Sequence, residues 1–319
     1  MTYNALIVGL GQIGMGYDLE FDPQERIATL ARAFASHHAF NLIGGVDTSA
    51  GRRELFVAHY AKPAFSNVAK AFEVAVPEVV AIAVPTEAHY SVVVDLLARP
   101  GIKVILCEKP LSYDLAEAEE MVELASRADV RLYTNYMRRS DRAVIEVRRR
   151  LLSGEIAGPV KGVCWYTKGL FNNGSHFLNL LQFWLGDVVS FDVISKGRFW
   201  ANYDPEPDLK IAFEYGEVYF HVAPEENFSH HSVELLAANG RLRYEQGLMQ
   251  WQPTITDKNH VGYTILNLDR ETIESDTLFL QTSVVDKIAR DFAGEVTTIC
   301  TGAQGLSTIK VLTEIRKRL

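Results

Sequence analysis

Gly9-Leu10-Gly11-Gln12-Ile13-Gly14 is the first stretch of this chain whose residue types and spacing point to a definite chemistry. The first glycine permits a tight turn, the second lets backbone approach a pyrophosphate, and the third lets a helix pack closely on a strand. The N-terminus of that helix then faces the negative charge. Gln12 and Ile13 lie within the turn and share the site. An acid at Asp47 can accept hydrogen bonds from both hydroxyls of an adenosine ribose and repels a 2′-phosphate, which favours NAD. Arg52 and Arg53 stand close enough in sequence to leave NADP open.

Two later segments carry groups suited to proton transfer. Glu108-Lys109-Pro110 follows an apolar run, as does Pro85-Thr86-Glu87-Ala88-His89. Beside the positive nicotinamide ring of an oxidised cofactor the ammonium form of Lys109 is disfavoured, and a neutral amine can take the proton of a substrate hydroxyl. Further on, Asn172-Asn173-Gly174-Ser175-His176 precedes the apolar run from Phe177 to Leu185. With Ser175 as N-cap, His176 is expected in the first helical turn, where imidazolium is disfavoured and a neutral ring can relay a proton.

These residues need a frame, and the apolar pattern supplies one. Ala5 to Val8, Asn41 to Val46, Val79 to Val84, Lys103 to Cys107 and Arg131 to Tyr133 read as buried strands alternating with helical stretches, the pattern of a doubly wound parallel sheet. The glycine turn directly follows the first strand, and Asp47 ends the second, which is the context the motif requires. Asp47 nevertheless lies well beyond the roughly 20-residue spacing usual after such a turn. An insert from Gly16 to Arg26, containing Pro23, is expected to interrupt the first helix before it resumes through Ile27, Leu30 and Phe34. Tyr17 and Asp18 then fall near the cofactor, at the rim of the site, or on a plain surface loop.

Residues 1–136 are therefore predicted as a Rossmann domain, and 137–319 as an α+β domain with an open, mainly antiparallel sheet and helices on one face. The strand-like runs of the second domain are Val160 to Thr167, Val188 to Ser195, Leu209 to Tyr215, Val218 to Val222 and Val233 to Ala237, with turn signals at Gly216 and Asn239-Gly240. Gly302 to Leu319 reads as a terminal helix that can pack back on the Rossmann domain. A net charge of −8 argues against nucleic acid or an anionic membrane surface as partner. Cys107, Cys164 and Cys300 are too scattered for a disulfide framework or a spaced metal site, so no metal and a reducing, cytoplasmic setting are expected. No apolar run approaches the ~18 residues of a membrane span.

Taken in order and spacing, the glycine turn, Pro85-Thr86 with His89, Glu108-Lys109-Pro110, Asn135-Tyr136-Met137-Arg138-Arg139 and Gly174-Ser175-His176 resemble the Gfo/Idh/MocA oxidoreductase family over nearly the whole chain. The resemblance implies an NAD(P)-dependent oxidoreductase moving hydride between the nicotinamide and a carbon of a sugar, cyclitol or nucleotide sugar, with the active site between two domains. It assigns acid–base work to Lys109 and His176, places Thr86 and His89 beside the nicotinamide half, and adds Pro85, Glu108 and Lys109 to the cofactor residues. Tyr136, Arg138, Lys168, Asn172, Asn173 and His176 become candidates for the substrate. The chain departs from the family's pattern at Asn172, where many members carry aspartate, and at Asn179, where an acid is common. An asparagine can orient a hydroxyl but holds no charge, which turns the expectation away from inositol dehydrogenase. The insert near Tyr17 and the Tyr166 to His176 segment look similar to members that handle surface-polysaccharide sugars. A redox-neutral, glycosidase-like use of NAD and a non-catalytic nucleotide-sensing role remain as alternatives. The open sheet implies a homodimer or homotetramer.

Overall fold

The computed structural model describes residues 2–319. The chain divides into two compact units, Met1–Ser140 with Leu278–Ile309, and Asp141–Thr277 with Lys310–Leu319. The first crossing therefore falls after Ser140 rather than Tyr136, and a segment expected in the second domain belongs with the first.

The first unit is built on six parallel strands: β1 (Tyr3–Val8), β2 (Phe40–Val46), β3 (Ala64–Phe65), β4 (Val79–Ile82), β5 (Val104–Cys107) and β6 (Arg131–Thr134). Their order in the sheet is β3-β2-β1-β4-β5-β6, with the switch point between β1 and β4. β4 and β5 are buried at every residue, because helices cover both faces of the sheet. α1 (Leu30–Ser36), α2 (Ala50–Tyr60), α3 (Val68–Phe72), α4 (His89–Leu97) and α5 (Leu115–Arg127) follow the successive strands. Alternate strand residues face opposite cores. Ile7, Ala81 and Leu106 pack with Leu30 and Phe34 of α1. Leu6, Ile82 and Ile105 pack with Val93 and Leu96 of α4 and Met121 of α5.

The first helix is interrupted as the spacing of Asp47 predicts, and the interruption is a splice. Leu30 N donates to Ile13 O at 3.1 Å and Ala31 N to Gly14 O at 2.9 Å. The helix begun at the glycine turn thus resumes at α1 with the intervening residues looped out. Asp18 makes the splice hold. Its fully buried carboxylate accepts from Ala28 N at 2.7 Å, Thr29 N at 2.9 Å and Thr29 Oγ1 at 2.8 Å, with Arg32 Nε 3.5 Å away. It therefore belongs to the fold and not to the rim of the site. The two amides belong to Thr29, the N-cap of α1, and to the residue before it, and backbone donors this close to the core need a partner.

In the second unit, α6 (Arg142–Ser153) and α7 (Ser175–Leu185) accompany a nine-stranded sheet. Its strands are β7 (Val160–Tyr166), β8 (Val188–Trp200), β9 (Asp204–Phe213), β10 (Gly216–Val222), β11 (Ser232–Ala237), β12 (Gly240–Glu245), β13 (Leu248–Thr256), β14 (Thr264–Leu266) and β15 (Glu271–Ile273). The order is β14-β13-β12-β11-β7-β10-β9-β8, with β15 beside β13. The predicted turns at Gly216 and Asn239-Gly240 join β9 to β10 and β11 to β12 as antiparallel pairs. One pairing, β7 with β10, is parallel.

The chain ends in α8 (Leu280–Phe292) and α9 (Gly302–Lys317). Val284, Val285 and Ile288 of α8 complete the α1 side of the parallel sheet. The first half of α9 packs on β6, where a Cβ at Gly302 would stand 3.1 Å from the Leu132 side chain and one at Gly305 only 2.2 Å from Thr134 Oγ1.

Candidate functional site

At the C-terminal ends of β1, β2 and β4 the first unit holds a cavity of about 840 Å³, walled by Gly9, Gly11, Gln12 and Ile13, by Asp47 and Thr48, by Asn67, and by Ala83 to Pro85. Open parallel sheets bind their ligands at this end. The three glycines do separate jobs. Gly9 has φ +98°, and a Cβ there would lie 2.5 Å from the Ala83 carbonyl. A Cβ on Gly14 would stand 2.0 Å from Gly9 O, so only glycine lets turn and helix close. At Gly11 the nearest atom to a Cβ is Arg52 Nη1 at 3.9 Å. The space in front of Gly11 is open to the cavity, as a pyrophosphate lying on the backbone requires.

Asp47 is buried at the edge of this cavity. Its Oδ2 accepts from Leu10 N at 2.8 Å and its Oδ1 from Ser49 N at 2.8 Å, which fixes the carboxylate against the glycine turn. A carboxylate has about four acceptor positions, so capacity remains for ribose hydroxyls. The two arginines separate. Arg53 donates to the carbonyls of Asp47 and Thr48 at 2.8 and 2.9 Å, whereas Arg52 lines the cavity with Nη1 3.5 Å from Asp47 Oδ2. Open space over Gly11, a tethered acid just past β2 and amides at a helix start suit NAD.

Tyr17 also lines the cavity, held there by the burial of Asp18 next to it. Sequence reasoning missed Asn67, the N-cap of α3, and the bidentate pair of Asp95 with Arg99 on and just beyond α4, all of which line the cavity. No local motif announces them, since β3 is only two residues long and the Asp95–Arg99 spacing reads as an ordinary helix-face ion pair.

Pro85 lies on the cavity wall, but Thr86, His89, Glu108 and Lys109 do not. His89, expected beside the nicotinamide half, is buried with Nδ1 2.9 Å from Pro110 O and Nε2 3.0 Å from Val84 O. It clamps the segment after β4 to the segment after β5, and burial pulls its pKa below the usual histidine value. Glu108 and Lys109 are half-buried at the end of β5. Glu108 accepts from Asn135 Nδ2 at 2.6 Å, and the same amide reaches Gln281 Oε1 of α8 at 3.1 Å. Burial pushes the Glu108 carboxyl up, with Asn135 and Lys109 opposing. Tyr136 is buried and Arg138 half-buried in the 134–140 segment beyond β6.

In the second unit, Ser175 is not an N-cap. Gly169–Gly174 forms a π-helical turn that runs straight into α7, and Ser175 Oγ donates to Asn172 O at 3.0 Å. The helical run begins at Gly169, so His176 stands beyond the first turn and the helix-terminus argument for a neutral ring does not apply. Asn172 and Asn173 are half-buried in the π turn, and His176 and Asn179 are buried on α7. Lys168, with φ +64°, sits at the head of the turn and pairs with Glu225 at 3.3 Å. Two carboxylates that no sequence signal singled out receive the turn's amides. Asp204 accepts from Phe171 N and Asn172 N, both at 2.9 Å, and Glu206 from Gly169 N at 3.1 Å.

A parallel sheet of this order with a glycine turn and a tethered acid at its strand ends defines a dinucleotide-binding Rossmann unit. Residues 3–136 match the Gfo/Idh/MocA family model, described as oxidoreductase family, NAD-binding Rossmann fold. Inositol 2-dehydrogenase of Salmonella paratyphi B is 28% identical over 163 residues, covering 50% of this chain and 44% of that protein. The chain thus spans less than half the length of the curated relatives it matches. Among solved structures, aldose-aldose oxidoreductase from Caulobacter crescentus has a similar fold, with TM-score 0.79 and 15% identity over 99% of this chain and 97% of that one. So does the WlbA dehydrogenase from Bordetella pertussis in complex with NADH and UDP-GlcNAcA, with TM-score 0.74 and 15% identity over 98% and 95%. Among the described residues no helix is long and apolar enough to cross a membrane.

The position of Asp47 yields a prediction. Asp47→Ala is expected to narrow the preference for NAD over NADP by about tenfold, the scale of one charge-assisted hydrogen bond, with Arg52 left to meet a 2′-phosphate. Titration of both oxidised cofactors against wild type and variant measures it, and a wild type that binds NADP more tightly than NAD refutes this role for Asp47.

Proposed function

We propose that the protein is an NAD-dependent dehydrogenase that oxidises a carbinol of a sugar, cyclitol or nucleotide sugar, or reduces the matching carbonyl, with Lys109 and His176 as its acid–base groups. The observation that carries the reading is the cavity at the strand ends, with open space over Gly11 and Asp47 tethered to the turn, and with Lys109 leaving the end of β5, which pairs with β4, the strand that leads into the wall residues Ala83, Val84 and Pro85. NAD, when bound, supplies the hydride acceptor.

In this reading the chain's own residues bind, orient and move a proton. Gly9, Gly11, Gln12 and Ile13 hold the pyrophosphate on backbone amides, and Asp47 takes the ribose hydroxyls. Lys109 removes the proton from the substrate hydroxyl as the carbinol is oxidised, and returns it in the reverse direction. His176, Asn172 and Asn173 supply hydrogen-bonding groups for the substrate's hydroxyls. Asn172 can both donate and accept there but holds no charge, which favours neutral polyol faces. Glu108, tied to Asn135, keeps the β5 end and the β6 end in register around Lys109.

The same proposal extends to assembly. Trp165 of β7 and Leu236 of β11 stand exposed on one face of the second sheet, and a homodimer or homotetramer would cover them. Sedimentation of the purified chain measures that state.

The test of function is to purify the protein, identify any retained nucleotide by mass spectrometry, and screen sugars, cyclitols and nucleotide sugars for absorbance change at the NADH band. Turnover of at least one polyol with NAD is expected. Cofactor binding without turnover of any of these classes refutes the reading.

A further inference from the structure

We propose that Asp204 is a positioning residue, whose buried carboxylate holds Gly169–Gly174 in its π-helical form and thereby fixes Asn172, Asn173 and the start of α7 with His176 for the substrate. This rests on the substrate role proposed above for that segment.

The first amides of any helix lack partners within it, and a π turn is an uncommon form that recurs where function requires it. Here its amides converge on β9. Phe171 N and Asn172 N each reach the Asp204 carboxylate at 2.9 Å, and Gly169 N reaches Glu206 at 3.1 Å. Asp204 and Glu206 are 1% and 0% exposed. Gly169, at φ +82°, would place a Cβ 2.2 Å from Asp204 Oδ2, so only glycine admits the carboxylate this closely. The backbone of the turn is therefore pinned from outside itself, by a strand that begins more than thirty residues later in the chain.

Stability alone does not account for a charge at this place. Burial pushes the Asp204 carboxyl up to about 6 from its ordinary 3.8, the three amides of the turn oppose the shift, and the neighbouring Glu206 adds to it. Because the folded value lies above the unfolded one, the folded state binds more protons in between, and stability falls as pH rises from about 4 to 6. Above that range the ionised carboxylate weakens the fold relative to its neutral form and tightens the turn. The other groups around it are Arg198 of β8, which pairs with Glu206 at 2.8 Å, Tyr166 of β7, which donates to Pro207 O at 2.6 Å, Lys168 paired with Glu225, and Arg316 of α9 over the Phe171 ring.

The experiment compares wild type with Asp204→Asn. At pH 8 the variant is expected to show a KM for the polyol raised about tenfold, the scale of a lost charged hydrogen bond, with cofactor affinity near that of wild type and a melting temperature no lower. The wild-type kcat/KM should fall as pH drops through about 6, and the variant should lack that limb of the profile. Hydrogen exchange supplies a readout independent of turnover: amides 169–176 should exchange about tenfold faster in the variant while the remaining sheet is unchanged. If the variant does not fold, the same amides in wild type should lose protection between pH 7 and 5. Unchanged exchange at 169–176 overturns the proposal, as does an exchange increase spread over the whole unit. Should no polyol be turned over, the functional reading fails and the exchange data still decide whether Asp204 holds the turn.

Discussion

Lys109→Ala is expected to lower turnover by at least about 10²-fold, the usual scale for a lost general base, and to leave the dissociation constant for NAD within about twofold. The two effects separate because Lys109 lies outside the cavity wall made by the glycine turn, Asp47 and Pro85, so its loss removes no wall contact there. Its backbone is fixed at the end of β5, where Lys109 N lies 3.3 Å from Glu108 Oε2 and His89 clamps the carbonyl of Pro110. Alanine should therefore leave the segment in place and remove only the amine. Added small primary amines should restore part of the rate, since the proton acceptor is then supplied from solution. Stopped-flow absorbance with the best polyol from the substrate screen, alongside fluorescence titration of NADH, measures both quantities. Unchanged turnover removes Lys109 from the chemistry and leaves the cofactor site untouched.

The parts of the fold that the sequence displays are those whose physics is local. Val79 to Ile82 and Val104 to Cys107 are buried on both sides of a parallel sheet, so their apolar runs are continuous and unmistakable. The glycine turn is legible for the same reason, each glycine answering a constraint within a few residues or on the next strand. The splice at Asp18 was legible only as a delay before Asp47, because which residues rejoin the helix depends on backbone bonds from Leu30 and Ala31 to Ile13 and Gly14. The π turn was hidden altogether. Ser175 followed by His176 at the head of an apolar run reads as an N-cap, and the competing helical start at Gly169 is stabilised by Asp204 and Glu206 from a distant hairpin. The clamp made by His89 was hidden as well, since both ring nitrogens face backbone carbonyls of segments that only the folded sheet brings together. α8 went unread because its apolar residues serve a sheet formed more than 100 residues earlier.

Gly14→Ala and Gly11→Ala should give separable kinds of damage although they differ by three positions in one motif. At Gly14 the added methyl would stand 2.0 Å from Gly9 O and 3.3 Å from Leu10 Cα, all backbone, with no side chain able to move aside. Overpacking of this kind costs about 3 kcal/mol or more, and the melting temperature should fall by roughly 6–12 °C on the scale of a domain this size. NAD affinity should fall with it, because the turn and the start of the spliced helix shift together. At Gly11 the methyl meets nothing nearer than Arg52 Nη1 at 3.9 Å, so melting should change by no more than about 2 °C. The methyl would, however, project into the space that a pyrophosphate needs against the backbone. NAD affinity should drop at least about tenfold, which is one displaced hydrogen bond to a charged group. Differential scanning fluorimetry with and without NAD distinguishes the pair in one experiment: the Gly11 variant keeps its melting temperature and loses the shift on adding cofactor, whereas the Gly14 variant loses both. If Gly11→Ala retains the full cofactor-induced shift, the cavity in front of Gly11 is not where the pyrophosphate lies.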